Sequence, residues 1–208
     1  MLISPEDVRK VIGVSPEDAS DLDIEPYIEK AQRELLNDIA IQVIDNTLTG
    51  SINGTNTTFS LSHGNIADSN FDGTVDANDI TVYAWGEINE PATKVKMTVS
   101  SLDAYYGKVY MASAPASTFD VLTADYYYYP RKIDTNLMKD ACAFLAGYYY
   151  VLKEYLLIPD AISHGALRIR HGKPYMMLLD EYYRIVDKLL AMPYVKTEHE
   201  EPTEIRGK

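Results

Sequence analysis

A single cysteine, Cys142, leaves this chain unable to form an intrachain disulfide, and its neighbours in ACAFLAG give it the setting of a small buried hydrophobe rather than an activated thiol. Positive charge is scarce: 19 Lys and Arg face 31 Asp and Glu, for a net charge of -12. That balance excludes a general DNA-coating role, which needs cations set against phosphates. Long apolar runs are missing, and none approaches the roughly 20 residues that a bilayer span requires, so no membrane partner is expected. The opening MLISPEDVRK lacks the basic-then-apolar order of an export signal, and the expectation is a soluble chain without an N-terminal address.

Catalytic signatures are missing too. His63, His164, His171 and His199 are scattered through loops and tail, none with the helical i to i+4 partner that zinc chemistry suggests, and they read as surface residues. No Ser-centred nucleophile elbow, phosphate-cradling glycine loop or Cys–His arrangement is present. The expectation is a protein that is not an enzyme, with no catalytic residue and no organic cofactor.

What the sequence does have is patterning. At 208 residues and 46% hydrophobic content it can bury one core plus a smaller satellite. Two near-copies of a helix start signal open it, Ser4-Pro5-Glu6-Asp7 and Ser15-Pro16-Glu17-Asp18, each a capping hydroxyl before a proline and two acids. The first predicts a short helix through Val11 stopped by Gly13, and the second only a turn. Ile28, Ala31, Leu35, Ile39 and Val43 then recur at spacings of three and four, predicting a longer helix over residues 23–44. Residues 46–66 are crowded with Asn, Thr, Ser and Gly and contain the turn signal Asn53-Gly54, which marks a boundary. Short β-branched and aromatic segments follow at 58–61, 80–85, 93–99, 108–111 and 119–129, predicting four or five antiparallel strands. Helical periodicity returns after Pro130, through Met138, Ala141, Leu145, Tyr148, Leu152 and Leu156, and a last helix is predicted over 174–192. The fold class expected is α+β. A helical domain of residues 1–47 and 131–193 is interrupted by an inserted antiparallel β barrel or sandwich at 48–130, and a charged tail spans 194–208.

The insertion is acidic, with nine Asp and Glu against three Lys between residues 50 and 129, so half of the net charge lies there. Part of it has a specific pattern: residues 68–79 read DSNFDGTVDAND. Calcium needs six or more oxygens at short range, and an EF-hand loop supplies them at positions one, three, five, seven, nine and twelve around a glycine at six. Asp68, Asn70, Asp72, Asp76 and Asp79 fill the side-chain positions, Thr74 offers its carbonyl, Gly73 permits the bend, and Val75 is the apolar eighth residue. The expected ligand is structural calcium. Asp at the last position resembles dockerin loops more than calmodulin-type ones. The following ITVYAW reads as a strand, so the loop lacks the helix pair that a sensor opens.

Tyrosine is abundant, with 17 copies, and clusters at 126–129, 148–150 and 182–183. A strand alternates its faces, so rings in the first cluster point both ways; they either cover an interface or replace Phe at the edge of a core. The one compact basic patch, 167–173, reads as a solvated or interfacial loop pairing with acidic neighbours.

The capped first helix, the pattern YIEKAQRELL and the C-terminal pair containing LMKDACAFLAGYYYVL together resemble the head-tail connector (adaptor) proteins of tailed double-stranded DNA viruses, over residues 1–45 and 131–192. The resemblance implies a subunit that forms a homo-oligomeric ring, often a dodecamer, below the portal at the virion neck. Such a ring extends the channel, with DNA passing through unbound and neck or tail proteins beneath. It also implies synthesis in the host cytoplasm and a C-terminal segment, 194–208, that docks on the portal protein. The β insertion then looks like a decoration. A reading from another class is an extracellular calcium-stabilised binding module similar to dockerins. It accounts for the loop but not for its single copy or the missing export signal.

Overall fold

The computed structural model describes residues 1–86, 94–157 and 174–195. The basic patch at 167–173, the histidines at 164, 171 and 199, residues 87–93 and the tail from 196 onward lie outside them. The chain divides into a unit of Met1–Ile39 with Ile133–Met192, and a unit of Ala40–Lys132 with Pro193–Lys208.

The first unit is helical. Helix α1, Pro5–Ile12, begins where the sequence signals it: Ser4 accepts from the Asp7 N–H, Asp7 returns the bond to the Ser4 N–H, and Gly13 closes the far end at φ 71°. Residues 16–19 form only a turn, with Ser15 Oγ donating to Asp18. Helix α2 is Asp21–Ile39, α3 is Thr135–Leu157 and α4 is Pro174–Leu190. Both α2 and α4 pack on α3, as does α1. Their seam is the expected stripe: Ile24, Ile28, Ala31 and Leu35 meet Ala141, Cys142 and Leu145, with Tyr182 and Leu189 from α4, all at most 1% exposed. The charged member of this seam is Arg9, only 7% exposed, whose guanidinium donates to Ala19 O and Asp21 Oδ1 and so fixes the turn between α1 and α2.

Helix α2 ends at Ile39, five residues short of the predicted end, and Val43 leaves the stripe for strand β1, Ile41–Thr47. The β-branched run Ile41, Val43, Ile44, Thr47 wins because a partner strand is available: Val43 sits opposite Tyr126. The boundary between units therefore falls at Ala40 rather than after residue 47.

The second unit holds strands β2 (Thr58–Ser60), β3 (Ile80–Trp85), β4 (Val95–Met97), β5 (Val99–Asp103), β6 (Lys108–Met111) and β7 (Val121–Tyr128). They make two antiparallel sheets, ordered β1-β7-β3-β4 and β2-β6-β5, and among the described residues these do not close into a barrel. Phe59 and Val109 from the smaller sheet join Val82, Leu122, Ala124 and Tyr126 from the larger in one apolar cluster. The strands predicted at 80–85 and 108–111 form as read; within the segment predicted at 93–99, of which residue 93 lies outside the described residues, Val95–Met97 is β4 and Val99 opens β5 after a break at Thr98. In the tyrosine run Tyr126 belongs to the apolar cluster and Tyr128, on the same face of β7, packs against it; Tyr127 is half-buried, and Tyr129, past the end of β7, is buried.

Candidate metal loop

Residues 68–79 leave and re-enter the same sheet. At the start, the Ala67 N–H donates to Tyr127 O of β7; at the end, the 3-10 turn Ala77–Asp79 runs straight into β3, which pairs with β7. Both ends are thus fixed by one strand. Inside, the backbone bends at Phe71 (φ 58°) and Gly73 (φ 97°), and the Phe71 ring is buried as the loop's apolar anchor. Val75 packs against the apolar cluster, which explains the apolar residue at the eighth position.

Asp79 organises the interior. It is 4% exposed; its Oδ1 accepts from Ser69 N at 2.7 Å, Ser69 Oγ at 3.0 Å and Asn70 N at 3.3 Å, and its Oδ2 accepts from Asp76 N at 3.0 Å. Asp68 Oδ2 accepts from the Gly73 N–H at 2.9 Å. Asn70 Oδ1 accepts from Asp72 N, Asp72 Oδ1 from Thr74 N and Oγ1, and Asp76 Oδ1 from Asn78 N. Ser69 is the member of this network that the calcium grammar does not single out, because a second-position residue carries no ligand in it.

The predicted ligands therefore lie on one loop, but their carboxylates are turned onto its own N–H groups. Among the described residues, no three or more His, Cys, Asp or Glu side chains gather in an arrangement that holds a metal ion. One atom does not fit the self-satisfied picture: Asp68 Oδ1 is buried with no hydrogen-bond partner. A buried carboxylate oxygen in that position needs a proton or a cation. Burial holds the Asp68 carboxyl above the usual aspartate range, and the nearby charges of Asp79 and Asp72 push the same way, against donation from Gly73. Asp72, with Thr74 donating twice, is held low instead. The donor set is all oxygen, which suits a hard cation in chemistry if not in present orientation.

The remaining reactive groups have structural settings. His63 is not a free surface residue: its ring stacks on Tyr128 at 4.1 Å, Nδ1 lies 2.9 Å from Tyr126 Oη, and burial lowers its pKa. Burial pushes the Cys142 thiol up to about 12. A cleft of about 340 Å³ between α1 and α3 is lined by Lys10 and Lys139 alternating with Asp7 and Asp140 over Ile3, Val11 and Ala143. No described helix is long and apolar enough to cross a membrane. No protein-family model matches the chain, and no curated protein matches it either.

Proposed function

We propose that this chain is a structural subunit of the neck of a tailed double-stranded DNA virus, a head-tail adaptor that closes into a ring with its own copies below the portal protein. The observation that carries the reading is chain order: α1 and α2, from before the β unit, pack with α3 and α4, from after it. A helical frame that closes across an insertion is what the resemblance of residues 1–45 and 131–192 implies. Helix α4 supports it by leaving Met176, Met177, Tyr183 and Leu190 exposed, apolar area of the kind that neighbouring subunits cover. A net charge of -12 suits a channel wall along which DNA slides. Residues 194–208 serve as the portal-docking segment in this reading.

The two sheets, sharing one apolar cluster, form in this proposal a sandwich-like decoration braced by calcium. Asp68, Asn70, Asp72, Asp76 and Asp79 with the Thr74 carbonyl hold the ion, and Asp68 Oδ1, already buried without a partner, is the first oxygen it satisfies. Bound calcium supplies positive charge that offsets the crowded carboxylates; it has no catalytic part.

Native mass spectrometry with calcium and after chelation tests both statements. The adaptor reading expects a ring-sized multiple of the 23.4 kDa chain, alone or once mixed with portal rings. The loop reading expects one calcium per copy, lost on chelation. A monomer under every condition overturns the adaptor; if that monomer still holds calcium, the extracellular dockerin-like module takes its place.

A further inference from the structure

The face of the larger sheet that points away from the apolar cluster holds an ammonium group between two aromatic rings. Tyr83 and Trp85 lie two residues apart on β3 and so share that face. Lys94, just ahead of β4, places Nζ 4.1 Å from the Tyr83 ring centroid, 4.6 Å from that of Trp85 and 3.0 Å from Asp45 Oδ1. The walls are held by contacts that do not involve Lys94. Trp85 is 9% exposed, and its Nε1 donates to Thr123 Oγ1 at 2.8 Å. Asp45 occupies the irregularity in the β1–β7 register with φ 52°, and its N–H donates to Asp125 Oδ1 at 2.8 Å. Asp125 thereby adds a second negative charge behind the first.

Two ring faces and a carboxylate around a cation are the set of groups that recognises alkylammonium ions, because the ring quadrupole attracts positive charge and tolerates methyl groups in contact. A simple surface ion pair needs only Asp45. We propose that Tyr83, Trp85 and Asp45 form a binding site for a small alkylammonium ion, which Lys94 fills as an internal, exchangeable ligand. The site opens to solvent: the Lys94 side chain is 25% exposed and that of Asp45 49%. A tethered ligand competes at an effective concentration on the order of millimolar. The intact chain therefore binds an external ammonium weakly, and loss of the Lys94 charge unmasks the site.

Trp85 is the protein's one tryptophan, so its fluorescence reads the site directly. The probe is tetramethylammonium chloride, with sodium chloride at equal ionic strength as control. Lys94→Ala is expected to give a saturable change in the range of about 1 to 100 mM, with its midpoint below that of wild type, by up to about twofold at the tight end of that range. Adding Tyr83→Ala or Asp45→Asn to Lys94→Ala is expected to abolish it. A response in Lys94→Ala that is linear, or equal to that with sodium chloride, overturns the proposal. The full-length wild-type protein gives a second test that needs no variant: reductive dimethylation with carbon-13 keeps lysine charged and labels it for NMR. The Lys94 methyl signal is expected upfield through ring currents and is expected to return to the position of the exposed lysines as tetramethylammonium is added. A methyl signal that stays upfield throughout the titration overturns exchange.

Discussion

The loop at 68–79 holds a buried carboxylate oxygen without a partner, Asp68 Oδ1. The Asp68 carboxyl has a raised pKa, so the folded chain binds its proton more readily than the unfolded chain does. Without metal, its ionisation therefore destabilises the fold, and that cost appears as pH rises from the ordinary aspartate range through the raised value. Asp68→Asn, chelated and at about pH 7, is expected to unfold no earlier than wild type, with a gain of up to about 1 kcal/mol because the buried negative charge is removed. In calcium the order should reverse, because the variant lacks a ligand. Thermal unfolding followed by Trp85 fluorescence checks both halves, and a variant less stable in chelator would remove Asp68 Oδ1 as the seat of the charge. In the helical unit, Tyr182 is 1% exposed and donates to Asp38, while Tyr149 donates to Glu34, so α2 is hydrogen-bonded to both α3 and α4. Asp38 is exposed and rehydrates when its partner is lost. Tyr182→Phe should therefore cost about 1 to 2 kcal/mol, at the lower end for a charged acceptor, measured by urea unfolding with circular dichroism.

Between elements, α1 comes close to α3 at Gly147. A Cβ there would lie 2.8 Å from Ile12 Cγ2 and 3.8 Å from both Val11 Cγ1 and Leu178 Cδ1. Alanine at this place gains about 1 kcal/mol of helix propensity and loses a similar amount by pushing Ile12 aside, so Gly147→Ala should be nearly neutral. Gly147→Val cannot be absorbed and should cost about 1 to 3 kcal/mol. Pairing Gly147→Ala with Ile12→Ala, which removes the Cγ2 methyl, tests the contact: a coupling below about 0.5 kcal/mol in the double-mutant cycle would mean that α1 does not press on Gly147. Caps and stripes made α1 and most of α2 readable in the sequence, since both depend on neighbours within one helical turn. The end of α2 was not readable, because residues 41–44 suit a helix stripe and a strand equally until Tyr126 stands opposite Val43.

At the scale of the whole molecule, the proposed calcium site belongs to one unit and should stabilise that unit. Calcium at about 100 times its dissociation constant is expected to add about 2.7 kcal/mol to unfolding read at Trp85, in the β unit. The helical circular-dichroism transition should move less. Equal shifts in both signals would mean that the units unfold together, and no shift in either would remove the metal from the loop.

Local chemistry by itself determined the first capped helix, the strands at 80–85 and 108–111, the return of helix after Pro130 and the spacing of oxygens along residues 68–79. Each of these rests on periodicity, a capping pair or a turn residue, which act over a few positions. Tertiary structure alone decided that residues 41–47 join the sheet and that the loop carboxylates face their own N–H groups, leaving Asp68 Oδ1 unpartnered. It also brought Lys94 across to Tyr83, Trp85 and Asp45. Asp45 and Lys94 stand 49 residues apart, and no local pattern signals their meeting. It follows from β1 and β3 lying on either side of β7, a pairing set by the burial of Val82, Leu122 and Ala124 in the common apolar cluster.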